Sequence, residues 1–247
     1  MVEAMQRDSA FKAVIALNNA GVSLLQRRLY SEAVDTMKEA IRLMRLAFFS
    51  EESSMPSTEE LDRALCASYQ RTSIKQPEMT DNIHLLVVSN CDSPYSVYGN
   101  LVQNRGAMCC VIIDTLEFFT RNDHENLPET ESSILLYNYG IVNRCAAQST
   151  TTHWTDTVRS GINETAYHIF ELAESVATRL MPSSDLINPP SEVLLMNMLI
   201  AISQMEMSSH SIELCLQYCE NLDDLLIIIY EQEMMFPHDD VAAAAAA

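Results

Sequence analysis

Residues 16–45, "ALNNAGVSLLQRRLYSEAVDTMKEAIRLMR", place small residues inside apolar stripes of helical spacing. Phe11, Val14, Ile15, Leu17, Val22, Leu24 and Leu25 recur at three and four, then Ala33, Val34, Met37, Ala40, Ile41 and Met44 after a corner at Arg28-Leu29-Tyr30. The pattern predicts two helices joined by a tight turn, with Ser31 as an N-cap and Glu32 in the first turn. A glycine inside a helix costs roughly 1 kcal/mol relative to alanine, so Gly21 needs a packing reason. Two helices approach closely only where small residues sit at their crossing. Gly21 and Ala33 supply that, Ala40 admits the next helix, and Leu17, Leu24 and Met37 fill the space beside them.

Composition extends the helical reading to the rest of the chain. Only 5 Gly and 8 Pro occur in 247 residues, and 48% of the residues are hydrophobic. A β-sandwich or a loop-rich enzyme normally needs more turn residues. The 14 methionines are expected mainly as filler between helices. A net charge of −19 argues against direct binding to nucleic acid or to an anionic membrane surface. No Lys or Arg follows Arg179, whereas Glu213, Glu220, Asp223, Asp224 and Glu231 do, which suggests a solvated face or a docking face for a basic segment. The 7 cysteines form no C-x-x-C pair, which fits reduced thiols in a reducing compartment. No secretory-signal pattern and no membrane-spanning run is present, so an intracellular location, cytoplasmic or nuclear, is expected.

The predicted organisation is a single domain over 1–236. Hairpin 1 covers about 3–48, an insertion 50–130, hairpin 2 131–180, hairpin 3 190–221 and a terminal helix 223–235, with a low-complexity tail at 237–247. Within the insertion, residues 59–70 suit a short helix. The β-branched runs "IHLLVVSN" and "AMCCVIIDTLEFF" suit strands at 83–88 and 108–114, paired as a long-looped hairpin, or buried helix. The 75–125 segment is thus a short β-hairpin or an irregular insertion. His153-Trp154 lies in a polar stretch, and the indole is expected to fold back onto the helices.

The opening stretch resembles a tetratricopeptide repeat (TPR). Leu17 stands at that family's large position, Ala20-Gly21 replace Leu-Gly, and Leu24 replaces Tyr. Ala33, Met37 and Ala40 fall at the second-helix Ala, Phe and Ala, and Arg45 takes the place of the closing Pro. The pattern returns twice. Leu136, Asn138, Tyr139 and Gly140 mirror Leu17, Asn19, Ala20 and Gly21, followed by Ala166, Phe170 and Ala173. Leu195, Asn197 and Met198 give a weaker echo with Leu199 in place of glycine, followed by Ser211 and Cys215. The irregular separation describes a degenerate, interrupted array. Three-helix domains of the microtubule-interacting and trafficking type are a competing resemblance.

The resemblance implies a mainly α fold of stacked antiparallel hairpins. It also implies a concave groove lined by the first helix of each: Asn18, Val22 and Leu25; Tyr137, Ile141 and Arg144; Met196, Ile200 and Ser203. The Lys and Asn that capture a C-terminal carboxylate in some family members are absent, which leaves the groove apolar. It would hold an amphipathic or basic partner segment, or be filled by the chain's own 75–125 insertion. Nucleotide, zinc-protease and nucleophile-elbow motifs are missing and the six histidines are scattered, so no catalytic residue, metal ligand or cofactor is indicated. The expected function is therefore non-enzymatic protein–protein interaction or scaffolding. The alternatives are a subunit of an assembly built on a three-helix bundle, or an enzyme or small-molecule binder with a divergent site near His84, Cys109 and Cys110. Oligomeric state is left open.

Overall fold

The computed structural model describes residues 2–48, 56–72, 83–88, 108–113, 127–150, 154–179, 191–208 and 211–235. Among them are seven helices: α1 (Val2–Gln26), α2 (Tyr30–Phe48), α3 (Thr58–Thr72), α4 (Leu127–Gln148), α5 (Asp156–Arg179), α6 (Ser191–Met207) and α7 (Ile212–Met235). Two strands, β1 (Ile83–Val88) and β2 (Met108–Ile113), complete the described elements. The chain is mainly α. The tail at 237–247 and the parts of the 50–130 insertion outside α3, β1 and β2 lie outside the described residues, apart from a few positions flanking α3 and at the start of α4.

Three helix pairs carry the fold: α1 with α2, α4 with α5, and α6 with α7. They stack in chain order, α2 against α4 and α5 against α6, while α3 packs on α1. The first corner shows how the sequence reverses the chain. Arg28 takes φ 58°, its N–H donates to Leu25 O (2.8 Å), and Leu29 N–H donates to Leu24 O (3.0 Å). This Schellman arrangement satisfies carbonyls that α1 leaves free. Ala33 N–H then donates to Leu29 O at 2.8 Å, so α2 starts at Tyr30 and Ser31 lies within its first turn, not at the cap. Hydroxyl caps open later helices: Ser57 Oγ accepts from Glu60 N–H at 3.2 Å for α3 and Thr155 Oγ1 from Val158 N–H at 3.4 Å for α5.

The small residues do what their spacing predicts. Gly21 faces Met37, where an added Cβ would lie 2.8 Å from Cε. Gly140 faces Phe170, where it would lie 2.7 Å from Cε1 and 2.8 Å from Cζ. The same glycine-to-large-residue crossing thus closes hairpins 1 and 2. Ala33, Ala40, Ala166 and Ala173 are also fully buried. In α6, residues 193–201 are buried on every side, which matches a sequence apolar all round.

Several boundaries differ from the sequence reading. The strands pair in parallel, Ile83 opposite Met108 through Val88 opposite Ile113, which excludes a hairpin. Parallel pairing needs a long connection, and the two strands lie far enough apart in sequence, at 83–88 and 108–113, to allow one. A single α7 replaces the expected break between 221 and 223. Asn221 and Asp223-Asp224 contain no Gly or Pro, and buried Tyr218, Leu222 and Ile229 hold both halves to one line. In hairpin 2, residues 149–155 alone separate α4 from α5, which begins at Asp156. Trp154 packs against the core as predicted, and its carbonyl accepts from Arg159 Nε at 3.2 Å.

The two glycines should respond differently to alanine. Gly140→Ala forces a buried phenyl ring aside and is expected to lose about 1–3 kcal/mol, whereas Gly21→Ala meets the end of a flexible methionine and should stay within about 1 kcal/mol of the parent. Urea unfolding followed by circular dichroism measures both. Arg28→Gly removes the left-handed strain of an exposed residue and should gain about 0.5–1 kcal/mol, read as a higher midpoint in the same titration.

Candidate functional site

A strand among helices presents N–H and C=O groups on both edges, and each needs a partner if it is buried. Along a strand these groups alternate sides, so residues 111 and 113 share one edge of β2. Cys110, Val111 and Ile113 are buried. β1 pairs along β2, and the edge carrying 111 and 113 is bonded by three asparagines from α1 and α4.

Asn138 of α4 makes a two-point contact with one residue: Val111 N–H donates to Oδ1 (2.9 Å) and Nδ2 donates to Val111 O (2.6 Å). Asn19 of α1 repeats it two residues on. Ile113 N–H donates to Asn19 Oδ1 (3.2 Å) and Asn19 Nδ2 donates to Ile113 O (2.9 Å). Asn18 ties the two together. It accepts from Asn138 Nδ2 at 2.9 Å, and donates to Asn19 Oδ1 at 3.1 Å and to Val111 O at 3.4 Å. Each carboxamide offers one donor and one acceptor in one plane, as a neighbouring strand residue does. The main-chain N–H groups can only donate, which fixes which way the Asn138 and Asn19 amides face.

The site carries no charge of its own. Asn18 and Asn138 are fully buried, and apolar side chains surround them. Burial dominates the nearby titrations: it raises Tyr139 and Tyr30, and pushes the Cys145 thiol up to about 12, which leaves that cysteine protonated and inert near neutral pH. A separate open pocket between α1, α2 and α3 is lined by Leu17, Asp35, Glu39, Arg42, Glu60 and Arg63. Its Arg42 is already bridged to Glu39 (2.8 Å) and Glu60 (2.6 Å). Among the described residues no group of three His, Cys, Asp or Glu side chains converges on a point that could hold a metal ion.

The residues predicted to line an open groove are interior instead. Val22, Leu25, Ile141, Met196, Ile200 and Ser203 are buried, and Tyr137 packs its ring 6.0 Å from that of Phe170. Arg144 reaches across to Glu206 of α6 at 2.6 Å. Asn18 alone among the nine touches β2 through its side-chain amide. β2, a part of the chain's own insertion, lies against α1 and α4 where Asn18 and Asn138 meet it. Side chains of His84 and Cys109 lie outside the described residues; their backbones pair with each other in register.

No family model matches the chain, and no curated protein or solved structure shows significant similarity to it.

Sequence reasoning missed Asn19 and Asn138 as site residues, although it used both to align the repeats. The available signal was physical. Asparagine is a poor helix former, and one placed mid-helix on an apolar face must find a hydrogen-bond partner. Asn197, the third echo, finds a different one: it donates to Val193 O in its own helix at 2.8 Å.

Asn138→Ala leaves the buried Val111 N–H without an acceptor and should cost about 2–4 kcal/mol, more than Asn19→Ala at the part-buried end of the clamp. Asn138→Asp should be worse at neutral pH, because a carboxylate would face Val111 O and Asn18 Oδ1. Its folded pKa would lie above the unfolded value of about 3.9, so the folded state binds more protons and stability falls as pH rises. Unfolding titrations at mildly acidic and neutral pH check this: the aspartate variant should be the more stable at the lower pH.

Proposed function

We propose that this protein is a non-enzymatic interaction scaffold of the TPR-like type, whose α1–α4 cleft binds an extended segment through its main chain. In the described state that segment is β2. The observation supporting this reading is the repeated two-point contact of Asn138 with residue 111 and of Asn19 with residue 113. Such contacts read main chain and not side chain, so any non-proline residue can satisfy them. A partner strand with apolar residues two apart would meet the same donors and acceptors. A site built from neutral amides and aliphatic side chains suits holding a peptide better than cutting or modifying one.

Strand replacement tests the reading. Val111→Pro removes the N–H bonded to Asn138 and should loosen β2 while leaving the helices in place, as circular dichroism would verify. A labelled peptide copying residues 106–115, with serine for its two cysteines, should bind this variant with a Kd on the order of 1–100 µM and the parent protein far more weakly. Adding Asn138→Leu should abolish the binding. A folded Val111→Pro protein that ignores the peptide, or binds it equally well without Asn138, rules the scaffold cleft out.

A further inference from the structure

α7 is an amphipathic helix with an apolar face on each side. Its inner face packs Tyr218, Leu222 and Ile229 against the rest of the molecule, and Tyr218 Oη meets Tyr167 Oη of α5 at 3.0 Å. Its outer face presents Ile212, Leu216, Ile227 and Tyr230, which are 80%, 58%, 56% and 55% exposed. At 3.6 residues per turn, Ile212 and Tyr230 stand about five turns apart in the same direction, with Leu216 and Ile227 between them. The four side chains mark one helix face about 27 Å long, apolar toward its two ends and broken between Leu216 and Ile227 by the exposed Asp223. Other large exposed apolar residues, Tyr69, Val158 and Leu172, lie apart from this stripe on α3 and α5 and need no explanation.

The chemistry around the stripe narrows what can cover it. Asp223 sits in its middle, and Glu213, Glu220, Asp224 and Glu231 line one side of it, all exposed. No Lys or Arg occurs anywhere after Arg179. A second copy would bring like charge against like charge along the whole contact, which costs several kcal/mol. A helix with apolar anchors and Lys or Arg along one flank and at its centre meets the apolar positions, Asp223 and the acidic side together.

The geometry points to the outer face of α7 as a docking surface for a basic amphipathic helix of a partner protein. Leu216 and Ile227 are the central apolar anchors, and Glu220, Asp223 and Asp224 are the charges that select a cationic partner. This surface is separate from the β2 clamp and does not depend on it.

The test uses the full chain and a labelled helical peptide of about 18 residues with a leucine seam and lysines along one flank and at its centre, followed by fluorescence anisotropy. The wild type should bind it, and binding should weaken at least about tenfold between about 0.05 M and 0.5 M salt. A peptide with glutamates in place of the lysines should not bind. Leu216→Asp/Ile227→Asp should weaken binding at least about tenfold although it makes the protein more acidic, which separates docking on the stripe from general charge attraction. Both positions are exposed, so circular dichroism should report an unchanged fold; Leu216→Asn/Ile227→Asn provides the uncharged version of the same test. Equal affinity in the folded variants, or no binding to the wild type, overturns the proposal. So does a wild-type dimer in light scattering that becomes monomeric in the aspartate variant, since the stripe would then belong to a second copy.

Discussion

Burying one edge of β2 among helices is the constraint on which the rest of the arrangement turns. A helix has no free main-chain groups along its length to offer a strand, so the partners must come from side chains. Asn138 and Asn19 meet that requirement with two-point contacts to Val111 and Ile113, and Asn18 links them. Because the amides come from α1 and α4, the strand also joins hairpin 1 to hairpin 2, reinforcing the packing of α2 against α4. A two-stranded sheet alone is marginal in water. Here its inner edge is finished by the helical framework, and the framework's cleft is finished by the sheet.

The same three-residue pattern serves two faces of each helix. Asn19-Ala20-Gly21 and Asn138-Tyr139-Gly140 place asparagine and glycine two residues, about 200°, apart around the helix. The asparagine therefore points at the strand, while the glycine points at the partner helix of its own hairpin. There Met37 and Phe170 come close enough that a Cβ would collide with them. Hairpin 3 carries neither half of the pattern. Asn197 donates to Val193 O of its own helix and, at 3.5 Å, to Ala177 O of α5, and Leu199 stands where the glycine would be.

The molecule thus has two ends of different character. The α1–α4 end is closed by neutral main-chain recognition, where burial raises the pKa of Cys145 and of the neighbouring tyrosines. The α7 end is acidic and keeps an apolar stripe in solvent. The strand contacts and the exposed apolar positions sit on different helices, α1 and α4 for the first and α7 for the second.

Local chemistry alone determined the helical hairpins, the glycine crossings, the inward turn of Trp154 and the acidity of the last third. Each follows from spacing, size or charge within a short stretch. Element limits were less legible. Nothing local distinguished a parallel from an antiparallel pairing of 83–88 with 108–113, and Asp223-Asp224 resembled a stop in a helix that tertiary burial of Tyr218, Leu222 and Ile229 carries through. Of the nine positions read as groove-facing, most are buried, Arg144 is tied to Glu206, and Asn18 alone meets the strand, about 90 residues away in sequence. Asn18, Asn19 and Asn138 were visible in the sequence as polar residues on apolar faces. Their partner could be found only in three dimensions, because a side-chain amide reads main chain, and main chain is the one feature that every residue shares.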